Sequence, residues 1–228
     1  MNNIELEKIE IPGLGRFYKS PTKNLWYPSI TTVTGHVKAK FFNEWRKNPT
    51  NEANMVLSAK IGTAVHSIIE KYLNKHEKYD ENGMLFDKLL FQQIRPELDK
   101  IENIVLQEKS LYSDFAKIAG RVDCIGYYEG KLSIIDFKTS KQVKKPEWIQ
   151  NYFQQATGYA IMYEELTGTK IDDIVILMTC SDGDIAVYKE KSKNHVKPLL
   201  EVIKSYWDKE SFRKLQEVIK EHQDEIGA

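Results

Sequence analysis

The sequence predicts an α/β fold with a mixed central β-sheet flanked by helices, and three observations carry that prediction. Two strand-like segments, about 116–128 and 131–140, face each other across Glu129-Gly130, which has the composition of a two-residue hairpin turn. Ile174–Thr179 is a near-continuous apolar run, typical of a strand covered on both faces. Helical periodicities precede, separate and follow these segments. The resulting order of helix, strand, strand, strand, helix, strand belongs to a single α/β unit.

Taken in order, residues 9–27 read as a small hairpin. Phe17-Tyr18 suits a strand, Pro21-Thr22-Lys23-Asn24 a turn, and Leu25-Trp26-Tyr27 the return. Pro28-Ser29-Ile30-Thr31-Thr32 opens a helix with Ser29 or Thr31 as its N-cap. Residues 55–75 form a second helix whose apolar side carries Val56, Ile61, Val65, Ile68, Ile69, Tyr72 and Leu73. A polar break at 78–83 leads to a helix over about 86–101, with Pro96 as a kink or restart. Residues 103–111 alternate as a strand ahead of the hairpin. A lysine-rich loop, Lys141 to Lys145, then leads to a helix that begins near Pro146 and ends near Thr167-Gly168. Beyond the apolar strand, Asp182-Gly183 is a hairpin turn, Ile185–Tyr188 the return strand, and the remainder helical with a break around 208–211. One domain over 1–228 is expected, divided as an N-terminal hairpin and helix (1–54), a core (55–190) with a helical insertion at about 76–102, and C-terminal helices (191–228).

Composition bounds the function less tightly. The 228 residues are 41% hydrophobic and 29% charged, the profile of an ordinary soluble protein. Thirty-three basic and 33 acidic residues balance, so only local clustering of charge can indicate a nucleic-acid partner. Two cysteines, Cys124 and Cys180, fall inside strands and are expected to be buried thiols in a reducing compartment. No apolar run approaches the roughly 20 residues of a membrane span, and the acidic N-terminus, Met-Asn-Asn-Ile-Glu-Leu-Glu, is unlike a signal peptide. A cytoplasmic location is expected.

The hairpin carries the chemistry. With Glu129 and Gly130 as turn residues, Tyr128 pairs with Lys131, and the register carried back sets Asp123 opposite Asp136. Directly paired residues share a face, and Lys138 lies two residues along from Asp136 on the same face. Two acids at cross-strand distance repel, so a cation is expected between them, with a lysine alongside. Upstream, His66 and Glu70 are four apart on one helix face, with Gly62 a turn earlier, where a glycine would let the sheet approach. Downstream, Gln155 and Tyr159 share a helix face in the same way. Glu108, in alternation with Ile104 and Leu106, is placed to support the site.

Gly62-x-x-x-His66-x-x-x-Glu70, Gly120-x-x-Asp123, Asp136-x-Lys138 and Gln155-x-x-x-Tyr159, in that order, resemble the PD-(D/E)XK nuclease superfamily in its RecB-like branch. Within it the chain looks most like the phage and mitochondrial genome maintenance exonucleases, over roughly residues 28 to 190, the Pro28–Thr32 segment included. Val122 stands where the superfamily name has proline. The iron–sulfur cysteines of the CRISPR adaptation nucleases are absent, so the resemblance implies no iron–sulfur cluster. It does imply a restriction-endonuclease-like core in which His66, Asp123, Asp136 and the backbone carbonyl of Phe137 bind Mg2+ or Mn2+. Lys138, Asp136 and Asp123 would be catalytic, with Glu70, Glu108, Gln155 and Tyr159 in support. Lys141, Lys144 and Lys145 stand at the mouth of that site as candidates for the DNA backbone. The implied function is a metal-dependent DNA exonuclease acting on single-stranded ends, encoded by a phage or acting in replication, repair or recombination. A structure-specific endonuclease and a non-catalytic DNA-end-binding module are the alternatives on the same core.

Overall fold

The structure, a computed structural model, describes residues 5–209 and 211–227. The expectation about the N-terminal leader rests partly on residues 1–4, which lie outside the described residues. Three short strands, β1 (Lys8–Ile11), β2 (Gly15–Lys19) and β3 (Trp26–Pro28), make an antiparallel sheet. It has one strand more than the expected hairpin, because the turn through Gly13, at φ +82°, folds β1 back onto β2. Ser29 then caps α1 (Ile30–Arg46), its hydroxyl accepting from the Thr32 N–H at 3.0 Å. Helix α2 (Pro49–Leu73) starts six residues earlier than periodicity suggested, because Asn48 caps it and Pro49 suits its first turn. Helix α3 (Leu85–Leu98) follows the polar break and ends shortly after Pro96.

The second sheet contains β4 (Ile101–Ser113), β5 (Ile118–Tyr128), β6 (Lys131–Ser140), β7 (Asp173–Cys180) and β8 (Ile185–Lys191), hydrogen-bonded in that order. Only β6 and β7 run parallel, and α4 (Gln150–Thr167) makes the crossover they require. Gly168, at φ +72°, ends α4 in the left-handed conformation that favours glycine. Helices α5 (Ser192–Lys209) and α6 (Phe212–Gly227) complete the chain. The sheet is therefore mixed and covered on both faces, as the sequence predicts.

Alternation along the central strands builds two cores. Ile134, Ile174, Ile176 and Met178 pack with Ile30 and Val33 of α1, Phe153 and Ala156 of α4, and Leu199 and Ile203 of α5. Ile135, Phe137, Val175 and Leu177 point the other way, onto Val65, Ile68 and Ile69 of α2 and Leu90, Phe91 and Ile94 of α3. Each buried aliphatic side chain contributes about 1.5–3 kcal/mol. A close approach occurs inside α4 at Gly158, where a Cβ would lie 2.7 Å from Ile30 Cδ1. At Gly62, expected to be such a point, a Cβ would sit 3.4 Å from Thr139 Oγ1, an ordinary contact.

The N-terminal sheet packs on α6. Ile11, Phe17 and Trp26 share a cluster with Leu215 and Ile219 of α6, and Gln216 closes a two-way hydrogen bond with the Trp26 backbone at 2.9 and 2.8 Å. Cys124 and Cys180 are buried free thiols, their pKa values pushed by burial to about 12 and about 11. Among the described residues no helix is long and apolar enough to cross a membrane.

Candidate functional site

The hairpin register is the one the two-residue turn dictates: Tyr128 pairs with Lys131 and Cys124 with Ile135. The ladder ends there, one step short of Asp123 and Asp136. Instead, the Asp123 carboxylate accepts the Phe137 N–H at 2.9 Å, taking the place of a strand carbonyl. On the other side of β5, Gln107 pairs with Cys124 and Lys109 with Val122, which sets Glu108 opposite Asp123. Glu108 has φ +50°, a left-handed conformation uncommon for a residue with a side chain. Face alternation breaks at this point: Val122 packs under α4, whereas Cys124 packs under α2 and α3. The simple alternation of Ile104, Leu106 and Glu108 is also lost. A bulge between Glu102 and Leu106, with Asn103 at φ +44°, sends Ile104 and Leu106 to opposite cores.

This irregularity brings three donors together. His66, Glu108 and Asp123 each offer a ligand atom within 4.8 Å of the others. The His66 position follows from α2 packing on β6, whose Phe137 carbonyl accepts from His66 Nε2 at 2.9 Å. A carbonyl can only accept, so Nε2 carries the proton, and Nδ1 lies toward Asp123 Oδ2, 3.7 Å away and beyond direct hydrogen-bond reach. That separation leaves both atoms free to act as donors to one cation. Glu108 points the same way: burial, then repulsion from Asp123, raises its pKa to about 7, although Arg121 contacts it at 2.7 Å. Oxygen donors with one imidazole suit Mg2+ or, better, Mn2+. The donor set thus fits a divalent ion.

Asp136 is not one of the three. It is 1% exposed, facing α4 beside Ile134. Its Oδ1 accepts from Gln155 Nε2 at 3.3 Å, and its Oδ2 is in ion-pair contact with Lys138. Burial raises the Asp136 pKa to about 6; Lys138 opposes the shift and Asp123 adds to it. Desolvation works against the Lys138 ammonium, but Asp136 and Asp123 outweigh it and its pKa is raised. Above about pH 6 both partners are therefore ionised. One turn along α4, the Tyr159 hydroxyl donates to the Arg121 carbonyl at 2.7 Å and so braces the strand that carries Asp123. Gly120 makes room for that ring: a Cβ there would lie 2.9 Å from Tyr159 Cε1.

Two adjoining clefts, of about 640 and 360 Å³, share Arg16, His66, Arg121 and Asp123 in their walls. Gly62, Glu70 and Glu108 line the first, and Ser29, Thr31, Lys138, Tyr152, Gln155 and Tyr159 the second. Glu70 thus lines the same cleft as the triad, one helical turn from His66, and Ser29 serves as both cap and wall. Arg16 and Arg121 escaped the sequence reading. Arg121 lies two residues before Asp123 and was within reach of that argument, whereas Arg16 enters from the N-terminal sheet and left no local signal. Of the three loop lysines, Lys141 is exposed, Lys144 donates to the Tyr152 hydroxyl at 3.3 Å, and Lys145 lies 5.7 Å from the Trp148 ring centre.

A family model described as the PD-(D/E)XK nuclease superfamily matches residues 38–228. No curated protein sequence matches the chain. Among solved structures, a provisionally assigned exonuclease from Eubacterium rectale aligns with 10% identity and a TM-score of 0.48, over 65% of this chain and 65% of its own. The protein SSO0001 aligns with 18% identity and a TM-score of 0.41, over 78% of this chain and 75% of its own.

Proposed function

The chain belongs to the PD-(D/E)XK nuclease superfamily, and from that premise we propose that it is a divalent-metal-dependent DNA exonuclease acting on single-stranded ends. The observation that carries the proposal is the convergence of His66, Glu108 and Asp123 within 4.8 Å, beside the buried Asp136–Lys138 pair. The helix bearing His66, ahead of the paired strands, supports placement in the RecB-like branch. The whole of 1–228 is taken as one nuclease unit, since the N-terminal sheet supplies Arg16 to the cleft and α6 holds that sheet in place.

His66, Glu108 and Asp123 would hold Mg2+ or Mn2+, with Asp136 alongside and the Phe137 carbonyl next to His66. A bound divalent ion lowers the pKa of water and polarises a phosphate oxygen. Lys138 stays charged, so it acts as a donor: it positions the attacking water and offsets negative charge that grows on the phosphate in the transition state. Gln155 holds Asp136 in place for Lys138, and Tyr159 does the same for the Asp123 strand. Arg16 and Arg121 give the cleft positive charge for the phosphates that flank the cut.

The test uses labelled linear single-stranded DNA, circular single-stranded DNA and duplex, each with Mn2+, Mg2+ or a chelator. The linear strand is degraded only with metal, and the circle stays intact. Cutting of the circle would replace the proposal with an endonuclease. Binding of ends without cleavage in any metal would replace it with a non-catalytic module.

A further inference from the structure

The loop after the catalytic strand does not stop at its lysines. Pro146–Trp148 forms a single 3₁₀ turn, pinned beneath by the fully buried Ile149 and closed by the Trp148 N–H to the Lys145 carbonyl at 2.9 Å. The turn is anchored, yet it leaves Trp148 56% exposed. Burial of that ring would stabilise the fold, so its display is unexplained by packing. Cations lie against this ring and against Tyr152. Lys138 Nζ lies 5.1 Å from the Tyr152 ring centre, Lys144 Nζ lies 5.6 Å from the same ring, and Lys145 Nζ lies 5.7 Å from Trp148. Tyr152 is a wall of the cleft that contains Lys138, and Trp148 stands four residues before it, on the turn that leads into α4. Lysines and rings thus alternate along the segment that leads from the proposed site of cleavage to an exposed indole.

We propose that Trp148 is a stacking platform for an unpaired base of the substrate strand, with Lys141, Lys144 and Lys145 on the adjacent phosphates. Alternating aromatic faces and cations is what single-stranded nucleic acid requires, because every base has a π-face and every linkage a negative charge. A duplex, whose bases are already stacked on one another, has no free face to offer. The inference rests on the nuclease reading and specifies its substrate as a strand unpaired next to the cut.

The experiment measures binding of a short fluorescent single strand and of a covalently closed duplex to full-length protein in chelator, so that no cleavage occurs. It compares wild type with Trp148→Ala and Trp148→Phe. Removal of one stacking ring weakens single-strand binding by roughly 5- to 100-fold, with phenylalanine retaining most of the affinity and duplex binding unchanged. An abasic residue moved along the strand weakens wild-type binding at one position and costs the alanine variant nothing more there. Equal losses on strand and duplex, or a full abasic penalty in the alanine variant, overturn the platform. Unchanged strand binding by the alanine variant also overturns it, while leaving the nuclease reading intact. Failure of the wild type to bind or cut any DNA defeats the nuclease reading itself. The ring is exposed, so the variants keep the wild-type melting temperature; a clear drop would assign Trp148 to packing instead.

Discussion

Glu108 carries a measurable destabilisation of the metal-free protein. Its carboxyl group is moved from an ordinary value of 4.5 to about 7, first by burial and then by Asp123. One pKa unit corresponds to about 1.4 kcal/mol, so the ionised side chain costs the fold about 3 kcal/mol. Only 14% of the side chain is exposed, so solvent screening removes little of this. The sign follows from linkage. An acid with a raised folded-state pKa binds more protons folded than unfolded across the window from 4.5 to about 7, so stability falls as pH rises through that window. Glu108→Gln cannot ionise and escapes the fall. Relative to wild type it should gain nothing near the lower limit and about 3 kcal/mol above the upper one, on the order of 6–12 °C in melting temperature for a chain of this length. Urea unfolding followed by tryptophan fluorescence, in chelator at a series of pH values, reads this directly. A pH-independent difference, or a variant less stable than wild type in alkaline solution, would refute the account of Glu108. The same titration with Mn2+ should close most of the gap: at a free concentration of ~100 Kd the ion stabilises wild type by about 2.7 kcal/mol and the glutamine variant far less.

Asp136→Asn and Lys138→Gln should abolish metal-dependent cleavage while the circular dichroism spectrum stays native. Lys138→Ala should additionally destabilise by ~3–5 kcal/mol, because it leaves Asp136 buried with neither its cation nor the amide donor that glutamine would supply; wild-type cleavage by either conservative variant would refute the site. Affinity for Mn2+, measured calorimetrically, should rise with pH up to about 7 and then level, since Glu108 at about 7 and Asp136 at about 6 must first lose their protons; a flat profile would contradict it. Gly158→Ala drives a methyl to 2.7 Å from Ile30 and should cost ~1–3 kcal/mol, whereas Gly62→Ala, at 3.4 Å from Thr139, should be nearly neutral. Equal melting temperatures for those two variants would refute the packing argument.

Much of the architecture was legible because it depends on local rules. Glu129-Gly130 fixes a hairpin register by turn geometry alone, and that register runs unbroken to Cys124 and Ile135. The alternation of Ile134 with Ile135 and Phe137 divides two cores, and Ser29 caps α1 where its hydroxyl can reach Thr32. The i, i+4 spacings of His66 with Glu70 and of Gln155 with Tyr159 place each pair on one helix face. What stayed hidden depends on contacts between distant segments. Glu108 joins His66 and Asp123 only because the strand breaks its alternation there, and nothing in 103–109 announces a left-handed glutamate. Asp123 was expected to stand squarely opposite Asp136; instead it takes the Phe137 N–H, a hydrogen bond that exists only once the strands splay.

By itself, then, the sequence determined which residues share a strand, a helix face or a turn, and so which acids and which lysine lie near one another. The tertiary structure decided the rest. It joined Glu108 to His66 and Asp123, turned Asp136 to Lys138 and Gln155, and brought Arg16 in from a sheet held down by α6. The reason is physical. Periodicity and turn chemistry act over a few residues, whereas strand splay, burial and the charges that move a carboxyl to about 7 arise only when segments far apart in the chain pack together.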